Sequence, residues 1–139
     1  MANLPPSPEA RTRALPRKVL SKSRLTKAFG FALTGIRYAW KYEPNFKLEV
    51  AAGCAAFLLA LFLNVSPVPI LICCAIVLPL ELLNSALEAA IDLVSPKQHP
   101  LAKLTKDAAA GAVLVASVLS ALIGLWVLLP PLITRLGLL

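Results

Sequence analysis

The order of apolar and polar positions divides the chain into one amphipathic segment followed by three long apolar ones. Leu25, Ala28, Phe29, Ala32, Leu33, Ile36, Ala39 and Trp40 recur at helical spacing, within about 140° of one face, with Lys27, Thr34, Arg37 and Lys41 opposite. The spacing predicts a helix over 22–42. It is too short and too charged to cross a bilayer, but a Lys/Arg face beside Trp and Phe suits the headgroup layer. Glu43-Pro44-Asn45 ends it, and an apolar run over about 46–63 follows. The strip Glu49, Ala52, Gly53, Ala56, Ala60 in that run is almost all small, which lets membrane helices approach closely. An uncharged turn from Asn64 to Pro69 leads to a second run over 70–91, where Pro79 should introduce a kink. Asp92 to Lys106 reads as a polar loop carrying Lys97, Lys103 and Lys106, and 107–129 is a third, uncharged run beyond Asp107. Each run is near the roughly 20 residues a bilayer requires. The expected fold is an all-α membrane protein with three transmembrane helices and an N-terminal amphipathic surface helix, one domain over 21–139. Residues 1–20, with Pro5, Pro6, Pro8 and Pro16 among basic residues, are expected to form a flexible cytoplasmic tail.

Composition agrees: 58% hydrophobic and 15% charged residues, with a mean hydropathy of +0.77, is a membrane composition. At 139 residues the chain leaves no room for a separate soluble catalytic domain, so any active site is expected at the membrane. Ten of the fourteen Lys and Arg precede residue 48, against Glu9 and Glu43. Basic residues flanking a first span mean contact with an anionic lipid bilayer and cytoplasmic retention; without an aromatic-interleaved basic motif, a nucleic-acid partner is not expected. With Lys97, Lys103 and Lys106 also between spans two and three, the N-terminus is expected in the cytoplasm and the C-terminus outside. The first long apolar run begins near Leu48, too late for a signal peptide. Cys54, Cys73 and Cys74 lie in apolar runs without metal-site spacing and read as packing residues.

Five of the seven acids, Glu49, Glu81, Glu88, Asp92 and Asp107, fall in or beside apolar runs, where a carboxylate is costly unless paired, hydrated or metal-bound. Taking Glu81 as 0° at about 100° per residue, Asn84, Ser85, Glu88 and Asp92 lie at about −60°, 40°, −20° and 20°. They form one stripe, with Glu81 about 10.5 Å deeper than Glu88. Such a gradient suits a charged soluble ligand at the mouth and an amphiphile deeper in. Lys103, Lys106 and Asp107 share a face at the start of span three, followed by Ala110 and Gly111; lysines and a helix N-terminus both favour phosphate. Interhelical hydrogen bonding would account for Asn84 or Ser85 alone, and a solvated loop for Lys97 and Lys103. An ion-conducting subunit would explain Glu81 and Glu88, but not the gathering of Glu43, His99, Lys106 and Asp107 at one mouth. A purely structural membrane adaptor would make both acids dispensable.

The run Glu81-Leu-Leu-Asn84-Ser85-Ala-Leu-Glu88, then Asp92, His99, Lys106-Asp107 and Ala109-Ala110-Gly111-Ala112-Val113, with Ala39-Trp40 and Glu43 upstream, closely resembles the small prokaryotic integral-membrane diacylglycerol kinase family over about residues 24–130. The resemblance implies a homotrimer of three-helix protomers in the prokaryotic inner membrane, moving the γ-phosphate of ATP to a lipid hydroxyl. It implies Glu81 as general base, Glu43 and Glu88 as holders of Mg²⁺ on ATP, and Arg24, His99, Lys106 and Asp107 as nucleotide contacts. Asn84 and Asp92 are expected to orient hydroxyl or nucleotide, and Trp40 and Glu49 to lie on the lipid side. Residues 32–36 and 106–113 look like the branch acting on undecaprenol, whereas Phe46-Lys47-Leu48-Glu49 and Asn84-Ser85-Ala86 look more like the branch acting on diacylglycerol. The diacylglycerol reading is taken first, with undecaprenol as the alternative.

Overall fold

The computed structural model of the chain describes residues 22–95 and 99–137, so the expected N-terminal tail and Lys97 lie outside the described residues. Four helices follow one another: α1 Lys22–Tyr42, α2 Pro44–Phe62, α3 Val68–Val94 and α4 Pro100–Arg135. The last three are long and apolar enough to cross a membrane, and no strand occurs among the described residues. The chain divides into two units inside α1, after Leu33. The first contributes the opening turns of α1, with Leu25, Phe29 and Phe31 exposed. The second holds the rest of α1, where Ala39 is buried, and the three long helices.

Local chemistry explains where the helices stop. The Glu43 N–H closes the last turn of α1 on Ala39 O at 2.8 Å, while Glu43 itself turns extended as the N-cap of α2 and Pro44 opens that helix with its preset φ. α2 ends in a Schellman turn: Asn64 takes φ 55°, Val65 N–H reaches Ala60 O at 3.0 Å and Asn64 N–H reaches Leu61 O at 3.1 Å. Val65 also packs onto Ala60, Leu63, Ile70 and Leu128, the buried apolar cluster at that end of the bundle. Arg135 ties the end of α4 to the same place, donating from Nη1 to Phe62 O at 2.7 Å with its guanidinium 4.2 Å from the Phe62 ring centre.

The expected ends of α3 and α4 are corrected. The polar stretch 92–106 is mostly helical: α3 runs on to Val94, and α4 starts at Pro100 rather than near 107. Pro100 suits a first helical position, and His99 Nδ1 caps it by accepting from Leu101 N–H at 3.2 Å. Lysines leave the hydrocarbon but need not leave the helix. At its other end α4 passes through Pro130 and Pro131 to Arg135, beyond the expected 129. α3 likewise continues through Pro79, and begins at Val68 with Pro69 in its first turn.

α3 packs most extensively on α4, then on α2, while α2 and α4 touch least. The α2–α3 approach depends on the small strip seen in the sequence. A Cβ on Gly53 would sit 2.7 Å from Cys74 Sγ, closer than such atoms pack, and Ala60 is wholly buried. Gly53→Val should therefore destabilise the bundle by about 1–3 kcal/mol through overpacking, measured by thermal unfolding in detergent. Cys74→Ala should restore much of that loss, since it removes the obstructing sulfur; an undiminished melting temperature in Gly53→Val alone would contradict this packing. Many large apolar side chains on the outer faces stay exposed, Trp126 at 84% among them, as suits helices solvated by hydrocarbon.

Candidate functional site

The carboxylate stripe of α3 forms as its spacing predicts, and burial grades along it. Glu81 is only 2% exposed, Asn84, Ser85 and Glu88 are half-buried, and Asp92 is exposed. Asn84 Nδ2 donates to Glu88 Oε1 at 3.1 Å one turn on, which fixes that carboxylate, while Asn84 Oδ1 is buried without a partner. Ser85 spends its hydroxyl on Glu81 O at 3.1 Å and so belongs to the helix rather than to the chemistry.

Two further acids converge on Glu81 from other elements. Glu43 at the α1–α2 junction and Glu49 on α2 both lie within electrostatic range of it, as does Glu88. Glu49 Oε1 accepts a hydrogen bond from Ser117 Oγ of α4 at 3.1 Å, leaving Oε2 buried and unpartnered. Ser117 was not singled out from sequence. Its signal was available in the run Ser117, Ser120, Ala121, Gly124, small residues at helical spacing on one face of an apolar span.

At the other end of the stripe the basic residues are already paired. Lys106 Nζ donates to Asp92 Oδ1 at 2.5 Å, linking α4 to α3, and Lys103 bonds Asp107 one turn along α4. Lys106 and Asp107 are thus neighbours in sequence with different partners. Asp92, expected to orient hydroxyl or nucleotide, is the acceptor for Lys106. The pairs are largely exposed, and such pairs contribute about 0–1 kcal/mol, so a phosphate can replace the carboxylate on Lys106 at small cost. His99 uses Nδ1 as the helix cap, which puts the proton of the neutral ring on Nε2 and leaves that N–H as a donor. Arg24 is exposed and belongs to the first unit, and Trp40 is half-exposed on α1. Among the described residues no group of three or more His, Cys, Asp or Glu side chains is arranged to hold a metal.

The described residues thus form three helices long and apolar enough to cross a membrane, with the buried Glu81 and the half-buried Glu88 leading along α3 to a basic end. Comparison with known proteins names the family. The family model described as prokaryotic diacylglycerol kinase matches residues 30–128. The chain is 42% identical over 113 residues to an undecaprenol kinase of Bacillus subtilis, covering 79% of this chain and 92% of that one. It is 38% identical over 111 residues to a diacylglycerol kinase of Synechocystis (77% and 63% covered) and 34% identical over 101 residues to a diacylglycerol kinase of Escherichia coli K12 (70% and 83% covered). The chain belongs to the prokaryotic diacylglycerol kinase family, and is by that membership a lipid kinase.

Proposed function

We propose that the protein transfers the γ-phosphate of ATP to the primary hydroxyl of a membrane lipid, in the manner of a diacylglycerol kinase forming phosphatidic acid. The observation that carries this reading is the buried Glu81 carboxylate, on the same face of α3 as Glu88 and about two turns from it toward the membrane interior, away from the basic end of α4. A lipid alcohol brings its hydroxyl to Glu81; the nucleotide lies toward Glu88, Lys106, Asp107 and His99. As the acceptor oxygen bonds to the γ-phosphorus and the bond to the β-phosphate oxygen breaks, the hydroxyl proton passes to Glu81 and ADP leaves. Phosphoryl transfer needs alignment and charge neutralisation more than covalent help. Lys106 and the His99 Nε2–H supply donors to phosphate oxygens, and Glu43 and Glu88 would hold Mg²⁺, which neutralises phosphate charge when bound. Asn84 keeps Glu88 oriented through the 3.1 Å bond. The basic end faces the cytoplasm, where ATP is, and the protomers assemble as a homotrimer in the inner membrane.

Undecaprenol is the second acceptor reading, favoured by the 42% identity to the Bacillus subtilis protein of that name. Purified protein in mixed micelles with Mg-ATP, offered diacylglycerol and undecaprenol side by side, should form phosphatidic acid or undecaprenyl phosphate, read by mass spectrometry. Folded protein that phosphorylates neither would overturn the kinase assignment.

A further inference from the structure

Serine and threonine hydroxyls in helices ordinarily return to their own backbone, and Ser85, Thr105 and Thr134 each donate to a carbonyl oxygen four residues back. Ser117 instead reaches another helix: its Oγ donates to Glu49 Oε1 on α2 at 3.1 Å. α2 and α4 touch least among the three long helices, so the bond is not a by-product of close packing between them. Ser117 stands one turn beyond the buried Val113, on the inward side of α4. Its level in the bundle follows from the Lys106–Asp92 pair. Ser117 lies eleven residues onward from Lys106 along α4, and Glu81 lies eleven residues back from Asp92 along α3. Each step is about 16.5 Å at the helical rise, so Ser117 and Glu81 come to nearly the same depth. Of the three acids whose charge bears on Glu81, Glu49 acts most strongly. Its other oxygen, Oε2, is buried without a partner.

Resting on the lipid-kinase reading, we infer that Ser117 is a positioning residue: it holds the Glu49 carboxyl group beside Glu81, so that the free oxygen of Glu49 hydrogen-bonds the acceptor's hydroxyl. An unmade hydrogen bond is costly in hydrocarbon, and the acceptor's hydroxyl is the polar group that this reading brings to that depth. A hydroxyl has one proton, and Glu81 takes it, so Glu49 meets the hydroxyl oxygen as a donor. Two carboxylates at one depth of an apolar span do not both stay charged without a cation between them, and the ion pairs of the described residues engage neither. With Ser117 donating to Oε1, that oxygen is the accepting end of the carboxyl group and Oε2 carries its proton. The Oε2–H then holds one lone pair of the acceptor oxygen, leaving another for the γ-phosphorus and the hydroxyl's own proton for Glu81. The Glu49 proton stays on Glu49 throughout. A glutamate side chain turns about several bonds, and the Ser117 bond removes that freedom before the lipid arrives.

The test uses the full chain in mixed micelles with Mg-ATP, and dioleoylglycerol and undecaprenol as acceptors. Ser117→Ala should raise KM for the lipid that is phosphorylated about tenfold, with KM for Mg-ATP within about twofold of wild type. Ser117→Thr, which keeps the hydroxyl, should restore the lipid KM. Glu49→Gln should stay within a few-fold of wild type, in contrast to Glu81→Gln, since an amide both accepts from Ser117 and donates to the acceptor oxygen. Glu49→Leu should weaken the lipid KM, and adding Ser117→Ala to it should cost nothing more. Infrared spectra give a readout apart from turnover: wild type should show a protonated carboxyl C=O band that Glu49→Gln removes and Ser117→Ala shifts. Equal rises in both KM values of Ser117→Ala, or a loss in kcat alone, would reduce the bond to a structural tie and overturn the inference. Glu49→Gln as inactive as Glu81→Gln, an undiminished effect of Ser117→Ala beside Glu49→Leu, or the absence of that band would overturn it too. All of these leave the lipid kinase intact. Folded wild type that phosphorylates neither lipid would overturn the kinase reading and this inference with it.

Discussion

Glu81→Gln should reduce lipid phosphorylation by about 10²–10⁴-fold and leave nucleotide binding near wild type. Gln matches Glu in shape, so the buried site on α3 stays packed, but it cannot take a proton from the acceptor hydroxyl. Glu49 is the nearest alternative base in α2. One of its oxygens already accepts from Ser117. The loss should therefore fall on kcat, with KM for ATP within a few-fold of wild type, because the nucleotide contacts proposed above sit at the other end of the stripe. Equilibrium binding of a fluorescent ATP analogue, set beside lipid turnover on the same preparation, separates the two. Turnover within a few-fold of wild type would remove Glu81 from the base role.

Glu88→Gln should act in the opposite sense, raising KM for Mg-ATP and the Mg²⁺ concentration needed for half-maximal rate by about 10–100-fold. The substitution keeps a side chain that can still accept from Asn84 Nδ2, so the local fold persists while the charge that attracts a hard cation is lost. A Mg²⁺ titration at fixed ATP distinguishes this from a packing defect, which would lower the rate at every Mg²⁺ concentration alike. An unchanged Mg²⁺ requirement would take Glu88 out of the metal set.

Much of the fold is legible in the sequence because its signals are local. The 3.6-residue period of Leu25 to Trp40, the Glu43-Pro44 break and three apolar runs each act within a few residues, and α1 spans the expected 22–42. The stripe from Glu81 to Asp92 is legible for the same reason, since one helix fixes its geometry. The start of α4 is not, because hydropathy reports where the chain meets hydrocarbon, whereas Pro100 and the His99 cap decide where the helix begins. Pairings between helices are least legible. Lys106 with Asp92 depends on how a short connection closes, and Ser117 with Glu49 joins residues 68 apart.

The most direct test of phosphoryl transfer is to incubate the purified protein and acceptor lipid with ATP labelled at the γ-phosphate in one reaction and at the α-phosphate in another, then extract the lipid. Label should enter the lipid from γ-labelled ATP alone, in step with ADP formed, and only when an acceptor alcohol is present. ATP hydrolysis without labelled lipid, or label arriving from the α-phosphate, would contradict direct transfer to the hydroxyl at Glu81.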